Sequence, residues 1–550
     1  MPQSSLCAVS RWLGLISALA LLAEGLVVWW VMSQAAEKRL TPNKRDWESF
    51  VVRQVAEQTT ERPYPLRQKL DFTAFEAALT QLDEATLERL QTLTQKTTIA
   101  QLQTEMQAGR LSSEQLTLFY LWRIRRYNDL LRAFLELNPA ALEEARTCDQ
   151  ERQHGKIRGS LHGIPLCLKD NISTAGPMHT TVGAAVLAEH LADQDALIVQ
   201  KLRAAGAVIL GKNNLSEWAN FMSSQSVNGY STLGGHTRNP YGPFDVGGSS
   251  SGTASAVAAN LAVAGIGSET SGSLIYPAAQ NSLYTLKPTL GLVSRDRIIP
   301  ITAAQDTAGP MTKNATDLAL LMSVITGHDP NDIETRIAQN FVFPPFPPRS
   351  LFPARVGWVQ HNQRSGDQEA LEQAAQALNS LGAEVVKVHF PDSSIEMMPV
   401  LHVGMRRGLS LYLQATQASI QGLSDVIEYN RQHPEAALYG QDLLETSLSH
   451  PLSETEYQAL VAKNRQQASD LLLGFMQEHR LDVLLTVSNS LSLPTSTSGF
   501  PVVNFPAGYR QSGEPVGASL VGRALQDTML IGLAQAASER LNIHKPPILR

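Results

Sequence analysis

Serine hydroxyls set among glycines are the densest chemical signal in this sequence. Between Val246 and Pro310 the chain runs Val246-Gly-Gly-Ser249-Ser-Ser-Gly-Thr253, then Gly267-Ser-Glu-Thr-Ser-Gly-Ser273. Glycines let backbone N–H groups approach a ligand closely and serines supply hydroxyls, so together they suit a nest of donors around a nucleophile. A flexible Gly/Ser linker is the plain alternative. Against it, the small, mostly apolar run Ala254 to Ala264 follows directly, as a buried helix requires. Gly248-Ser-Ser250-Ser-Gly252 formally fits G-x-S-x-G, which would make Ser250 an elbow nucleophile. Upstream, however, Asn239-Pro-Tyr-Gly-Pro-Phe-Asp245 is turn chemistry where an elbow needs a hydrophobic strand. Gly206 to Lys212 fits the opening of a phosphate-binding loop, yet Asn213 stands where Ser or Thr must hold magnesium.

More of the chain fits a third template. Gly247-Gly-Ser-Ser-Ser-Gly252, the small-residue run after it, and Gly267-Ser-Glu-Thr-Ser-Gly-Ser-Leu-Ile-Tyr-Pro277 resemble the signature of the amidase-signature family. From about Leu111 to the C-terminus further blocks follow in the family's order: Leu161-His-Gly-Ile-Pro-Leu-Cys-Leu-Lys-Asp-Asn171, Gly211-Lys-Asn-Asn-Leu-Ser-Glu-Trp218, Gly234-Gly-His-Thr-Arg-Asn-Pro-Tyr241, Leu286-Lys-Pro-Thr289 and Gln305-Asp-Thr-Ala-Gly-Pro-Met311. The last block, with Ser216-Glu-Trp-Ala219, looks most like the branch holding peptide amidases, which remove a C-terminal amide.

The resemblance implies an α/β amidase-signature fold, a large mixed β-sheet flanked by helices on both faces. It implies hydrolysis of carboxylic amides through a serine acyl-enzyme, with ammonia or an amine released and neither metal nor cofactor. The family's triad falls on Lys169, Ser249 and Ser273, with Ser249 held by a cis peptide. The oxyanion would rest on backbone N–H groups of Thr270, Ser271, Gly272 and Ser273. Chemistry agrees, because an amide needs an activated nucleophile, a proton donor for the amine and donors for the oxyanion. Lys169, between apolar Leu166-Cys167-Leu168 and Ile172, is placed to be desolvated and to act as a neutral base. Plainer roles stand beside each: a surface ion pair of Lys169 with Asp170, a turn hydroxyl for Ser249, a helix cap for Ser273. Ser268 replaces the family's usual Thr, Ser271 an Asp or Gly, Ile275 a common Arg, and Ser282-Leu283 a common Gly-Val. These departures leave the substrate open among small, peptide and fatty amides, with altered side chains expected near the acyl or leaving-group pocket. Two rival functions share the fold: a glutaminase-type subunit of a tRNA amidotransferase, and a membrane-tethered, non-catalytic binding or scaffold protein.

Around these residues the elements alternate. Ser112 and Gln115 form a capping box before a helix through Leu116, Leu121 and Ile124. A helix through Leu197 and Leu202, capped by Asp193 and ended at Gly206, precedes a strand at 207–210. Strands are predicted at 356–359, 385–388, 483–485, 502–505 and 518–521, with a helix at 367–381. The catalytic domain is expected over 110–550 with a mainly helical subdomain around 396–480, after a helical spacer at 38–109. Residues 1–37 carry the apolar run Trp12–Met32, expected to be an uncleaved single-pass membrane anchor, with a cleaved signal peptide and export as the alternative. Arg11 precedes it and Lys38, Arg39, Lys44 and Arg45 follow, which leaves the side of the soluble domain open. With 43% hydrophobic and 17% charged residues the chain is globular, and a net charge of -6 gives no electrostatic case for nucleic acid. Cys7, Cys148 and Cys167 show no C-x-x-C spacing and the histidines no H-E-x-x-H, which argues against disulfide frameworks and zinc hydrolysis.

Overall fold

Short runs rich in Val, Ile and Leu, bounded by glycines and turns, become strands because both faces of the sheet they join are buried. The computed structural model describes residues 47–60, 62–346, 355–360 and 366–549. The strands are β1 (Phe134–Leu137), β2 (Pro165–Lys169), β3 (Val208–Asn213), β4 (Tyr230–Ser231), β5 (Gly235–His236), β6 (Ala264–Glu269), β7 (Tyr284–Lys287), β8 (Thr307–Thr312), β9 (Arg355–Val359), β10 (Glu384–Val388), β11 (Val483–Val487), β12 (Val502–Tyr509) and β13 (Pro515–Val521). Eleven form one mixed sheet in the order β1-β3-β2-β6-β8-β7-β12-β13-β11-β9-β10, and β4 and β5 pair separately. At its centre β2 runs parallel to β3 and β6, whereas β8 runs antiparallel to β6. The carboxyl ends of β2 and β6 and the start of β8 therefore meet on one edge. That is the kind of edge where open α/β sheets bind ligands.

The capping box of Ser112 and Gln115 opens a helix at Ser113–Leu131. The helix before β3 spans Leu197–Ala204, but Asp193 does not cap it; its carboxylate instead pairs with Arg297. The small-residue run is helical only over Ser251–Ala258, and from Ala264 it is already β6. Residues 62–109 contribute the helices Glu84–Lys96 and Ile99–Gln107, whose Leu90, Ile99, Leu102 and Met106 are buried in the same core cluster as the sheet. Residues 397–478 form four α-helices, Met397–Ala415, Leu423–Gln432, Asp442–Ser449 and Glu454–Glu478, with a 3-10 turn at Pro434–Ala437.

The chain divides into residues 1–53 and 54–550, and the sheet and all that is described below belong to the second unit. The expected anchor at 12–32 and its signal-peptide alternative lie outside the described residues. Among the described residues no helix is long and apolar enough to cross a membrane. The single N-terminal transmembrane helix and the single-pass membrane localisation are therefore withdrawn. The long described helices carry charges at intervals, such as Arg406 and Arg407 in Met397–Ala415, that a bilayer core does not accommodate.

Candidate active site

Lys169 ends β2 with its side chain wholly buried. Its Nζ donates to Ser249 Oγ at 2.7 Å, Ser268 Oγ at 2.9 Å and the Ser268 carbonyl at 3.2 Å. Burial lowers its pKa from 10.5 to about 7, against the opposing pull of the Asp306 and Glu269 carboxylates. Asp170 does not pair with it. That carboxylate is bound by Lys212 of β3 at 3.3 Å and by the Thr181 backbone and hydroxyl. Lys212 donates further to the His179 carbonyl and to Thr180 Oγ1, so it too is buried and fully engaged.

Ser249 lies in the loop between Asp245 and the helix Ser251–Ala258, and the Gly248–Ser249 peptide is cis. The loop is fixed by the buried Asp245 carboxylate, which accepts from Gly247 N at 2.8 Å, from Asn228 Nδ2 and from Tyr276 OH at 2.5 Å. Ser250, the nucleophile of the elbow template, is turned to β6: its Oγ donates to the Ser268 carbonyl at 3.0 Å and accepts from Ser268 N. Its backbone N–H donates to the Ser273 carbonyl at 3.3 Å, which ties the loop to the turn holding Ser273.

That turn, 270–273, joins β6 to the helix Ile275–Gln280. Thr270 Oγ1 donates to Asp306 Oδ1 at 2.6 Å, and the other Asp306 oxygen accepts from Ile301 N and Thr302 N. Burial raises Asp306 to about 6. Gly272 has φ +85, and a Cβ there would meet Asn489 Nδ2 at 2.6 Å, so the position requires glycine. Glu269 accepts from Leu274 N at 2.7 Å and Ile275 N at 3.1 Å, which orders the start of the helix after Ser273. Among the described residues nothing accepts from the backbone N–H groups of Ser271, Gly272 and Ser273, three successive donors left without a protein partner.

This arrangement, a buried amine with a pKa near neutrality, a contacting serine, a second serine on an adjacent turn and a set of unpaired N–H groups, can activate a hydroxyl and stabilise an oxyanion without a metal. The amidase family model matches residues 115–492. The chain belongs to the amidase family. It is 34% identical over 469 residues to a probable amidase of Arabidopsis thaliana, covering 82% of this chain and 91% of that protein. The peptide amidase from Stenotrophomonas maltophilia superposes with a TM-score of 0.78 at 39% identity, covering 82% of this chain and 99% of that one. An amidase family protein from Bacillus anthracis str. Ames gives 0.83 at 33% identity, covering 87% and 97%. This amidase is thus an amide-hydrolysing enzyme.

Beside the site a cavity of about 270 Å³ is bordered by Ser268, Glu269, Thr270 and Asp306 and walled by Ile298 to Ile301, Leu411 and Tyr412. The departures expected near it are distributed differently. Ile275 is buried in an apolar cluster with Val359, Leu472, Phe475 and Val502 and does not line this cavity. Ser282 takes the left-handed φ of +54 that glycine adopts at lower cost, and Leu283 is core. Ser271 stays at the site on the turn 270–273, and Ser268 is central, since its hydroxyl accepts from both Lys169 and Asn171 Nδ2. Asn171, Ser268 and Asp306 lie within recognisable blocks, but their tasks depend on contacts that no spacing reveals. One group with metal-ligand geometry, Cys148, Glu151 and His162, lies elsewhere; there His162 Nε2 donates to the Cys148 carbonyl and Arg158 holds Glu151.

Proposed function

We propose that the amidase cleaves the terminal amide of peptide-like substrates through an acyl-enzyme on Ser273, with Lys169 as general base and Ser249 as proton relay. Ser273 Oγ attacks the carbonyl as its proton passes to Ser249 Oγ and the Ser249 proton to Lys169 Nζ. The tetrahedral oxyanion rests on the N–H groups of 271–273. As the C–N bond breaks, the proton returns along the same path to the leaving nitrogen and ammonia departs. Water then attacks the ester by the same relay and the free acid is released.

The observation that carries this reading is the set of acceptors around Lys169. An ammonium fills all three, Ser249 Oγ, Ser268 Oγ and the Ser268 carbonyl. A neutral amine has two N–H groups and one lone pair. The carbonyl can only accept, so one N–H goes to it; the lone pair is then left to accept from a serine hydroxyl, and Ser249 Oγ at 2.7 Å is the nearer of the two. A pKa near 7 leaves about half of Lys169 in that form at neutral pH. Similarity to the S. maltophilia peptide amidase supports the peptide-amide substrate class.

The test is covalent labelling of the full chain with a fluorophosphonate, alongside ammonia release from peptide amides. Labelling abolished in Ser273→Ala and retained in Ser250→Ala, with turnover lost in Lys169→Ala and Ser249→Ala, is the expected result. Labelling that survives Ser273→Ala overturns the assignment of the nucleophile.

A further inference from the structure

A second cavity, of about 640 Å³, shares Ala303 with the first. Three elements run along both in matching order. In the segment before β8, Ala303 borders the first cavity and Ala303 and Ala304 the second. At the start of the short 3-10 helix Ile333–Ala338, Asp332 before it borders the first and Glu334 within it the second. In the helix Met397–Ala415, Gly408 borders the first and Arg407 the second. The two spaces are therefore consecutive stretches of one cleft. The first alone, at about 270 Å³, falls below the roughly 300–1,000 Å³ of pockets that hold a drug-sized ligand.

The two stretches differ in chemistry. Beside the reacting groups the wall is mainly apolar, with Ile298, Ile299, Pro300, Ile301 and Leu411, although Arg295, Arg297 and Asp332 also border it. Farther out polar groups make up about half of the wall: Arg407, Gln458, Arg465 and Gln466 stand there among Tyr457, Val461 and Ala462. Arg407 is held by Glu454 at 2.9 Å and lies 5.1 Å from the centre of the Tyr457 ring, and Arg465 is held by Glu334 at 3.4 Å and by the Ala304 carbonyl at 3.0 Å. Each guanidinium is thus fixed in place by some of its five N–H donors and presents the others to the space. An alkyl chain entering this stretch would strip water from these groups and return no hydrogen bond. An extended peptide brings a carbonyl and an N–H about every 3.3 Å and replaces the lost water bonds.

We infer that the outer cavity is a distal subsite for the acyl chain of the substrate, and that it selects oligopeptide amides over long-chain fatty amides. This rests on the peptide-amide reading and extends it to residues several positions before the scissile amide. The single apolar side chain next to that amide occupies the inner stretch, and the preceding backbone occupies the outer one.

The test compares kcat/KM for acetyl-leucine amide, a tetrapeptide amide ending in the same leucine, and dodecanamide, in the wild type, Ala304→Phe and Arg407→Ala. Ala304→Phe adds bulk to the lining of the outer cavity, and Arg407→Ala removes donors from that lining without adding bulk. The expected wild-type ratio of tetrapeptide to acetyl-leucine amide is about tenfold or more, the worth of one or two charge-assisted hydrogen bonds. In both variants that ratio falls to within about threefold of unity on the same basis. A wild-type ratio near unity, a ratio unchanged in both variants, or dodecanamide as the best substrate overturns the subsite. Turnover of neither peptide amide by the wild type overturns the peptide-amide reading itself.

Discussion

Lys169 and Asp170 are adjacent in the chain and wholly buried, yet they answer to different partners: Lys169 Nζ lies 2.7 Å from Ser249 Oγ, and Asp170 lies 3.3 Å from Lys212 Nζ. Successive side chains at a strand end point to opposite sides. Asp170 is thereby kept from neutralising the amine beside Ser249. A direct Lys169–Asp170 pair would hold the ammonium charged and raise its pKa, and the burial of Lys169 would then not yield a base.

Removing the Asp170 charge leaves Lys212 buried without its counter-ion. Asp170→Asn should destabilise the fold by about 3–5 kcal/mol, the cost of breaking a buried pair from one side. Thermal or denaturant unfolding reads this directly. The acid limb of any residual activity should stay near its wild-type position, because Lys169 is not the partner lost.

Activity that needs neutral Lys169 falls as the amine is protonated. The acid limb of kcat/KM should therefore lie near pH 7, with a loss of about tenfold per pH unit below it. The Asp306 carboxylate raises the Lys169 pKa, so Asp306→Asn should move the limb to lower pH. A limb that moves up, or does not move, contradicts this electrostatic account.

Ser268 Oγ accepts from both Lys169 and Asn171. Ser268→Ala takes one acceptor from the ammonium, which needs three, and harms the neutral amine less, so the acid limb should again move to lower pH. Stability should drop by about 1 kcal/mol as Asn171 Nδ2 loses one of its two acceptors and keeps the Ile299 carbonyl. Ser268→Thr keeps the hydroxyl and should restore the wild-type pH profile.

The glycines of the serine-rich loop are bound by space as well as by chemistry. A Cβ at Gly252 would meet the Asn214 carbonyl at 2.3 Å and the Ala133 carbonyl at 2.5 Å, both backbone atoms that cannot turn aside. Gly252→Ala should cost about 1–3 kcal/mol or more. Gly474, exposed in the helix Glu454–Glu478 with nothing near its would-be Cβ, is the contrast; Gly474→Ala should stabilise by about 0.5–1 kcal/mol. Parallel melting curves of the two variants check both signs.

Elements with strong periodicity were legible in the sequence. The capping box at Ser112, the helix Asp367–Ser380 and strands β9 to β13 follow from local pattern, because each carries its own apolar face. β6 and β8 were not. Ala-Gly-Ile-Gly-Ser-Glu and Thr-Ala-Gly-Pro-Met-Thr are small residues with little β propensity, and Pro310 argues against a central strand. Both are strands because neighbours on either side supply the hydrogen bonds. The expected membrane span had only composition behind it, and no described helix carries it.

By itself the sequence determined the chemistry on offer: a lysine in an apolar run, two serines in glycine-rich loops, and the order of blocks that marks the family. Those are properties of residue type and spacing, which survive without coordinates. Tertiary structure alone decided who meets whom. It gave Asp170 to Lys212, joined Lys169 to Ser249 across 80 positions and set Asp306 against Thr270. A proton moves, and a pKa shifts, over a few ångströms of space, and the neighbours that supply those ångströms come from strands and loops far apart in the chain.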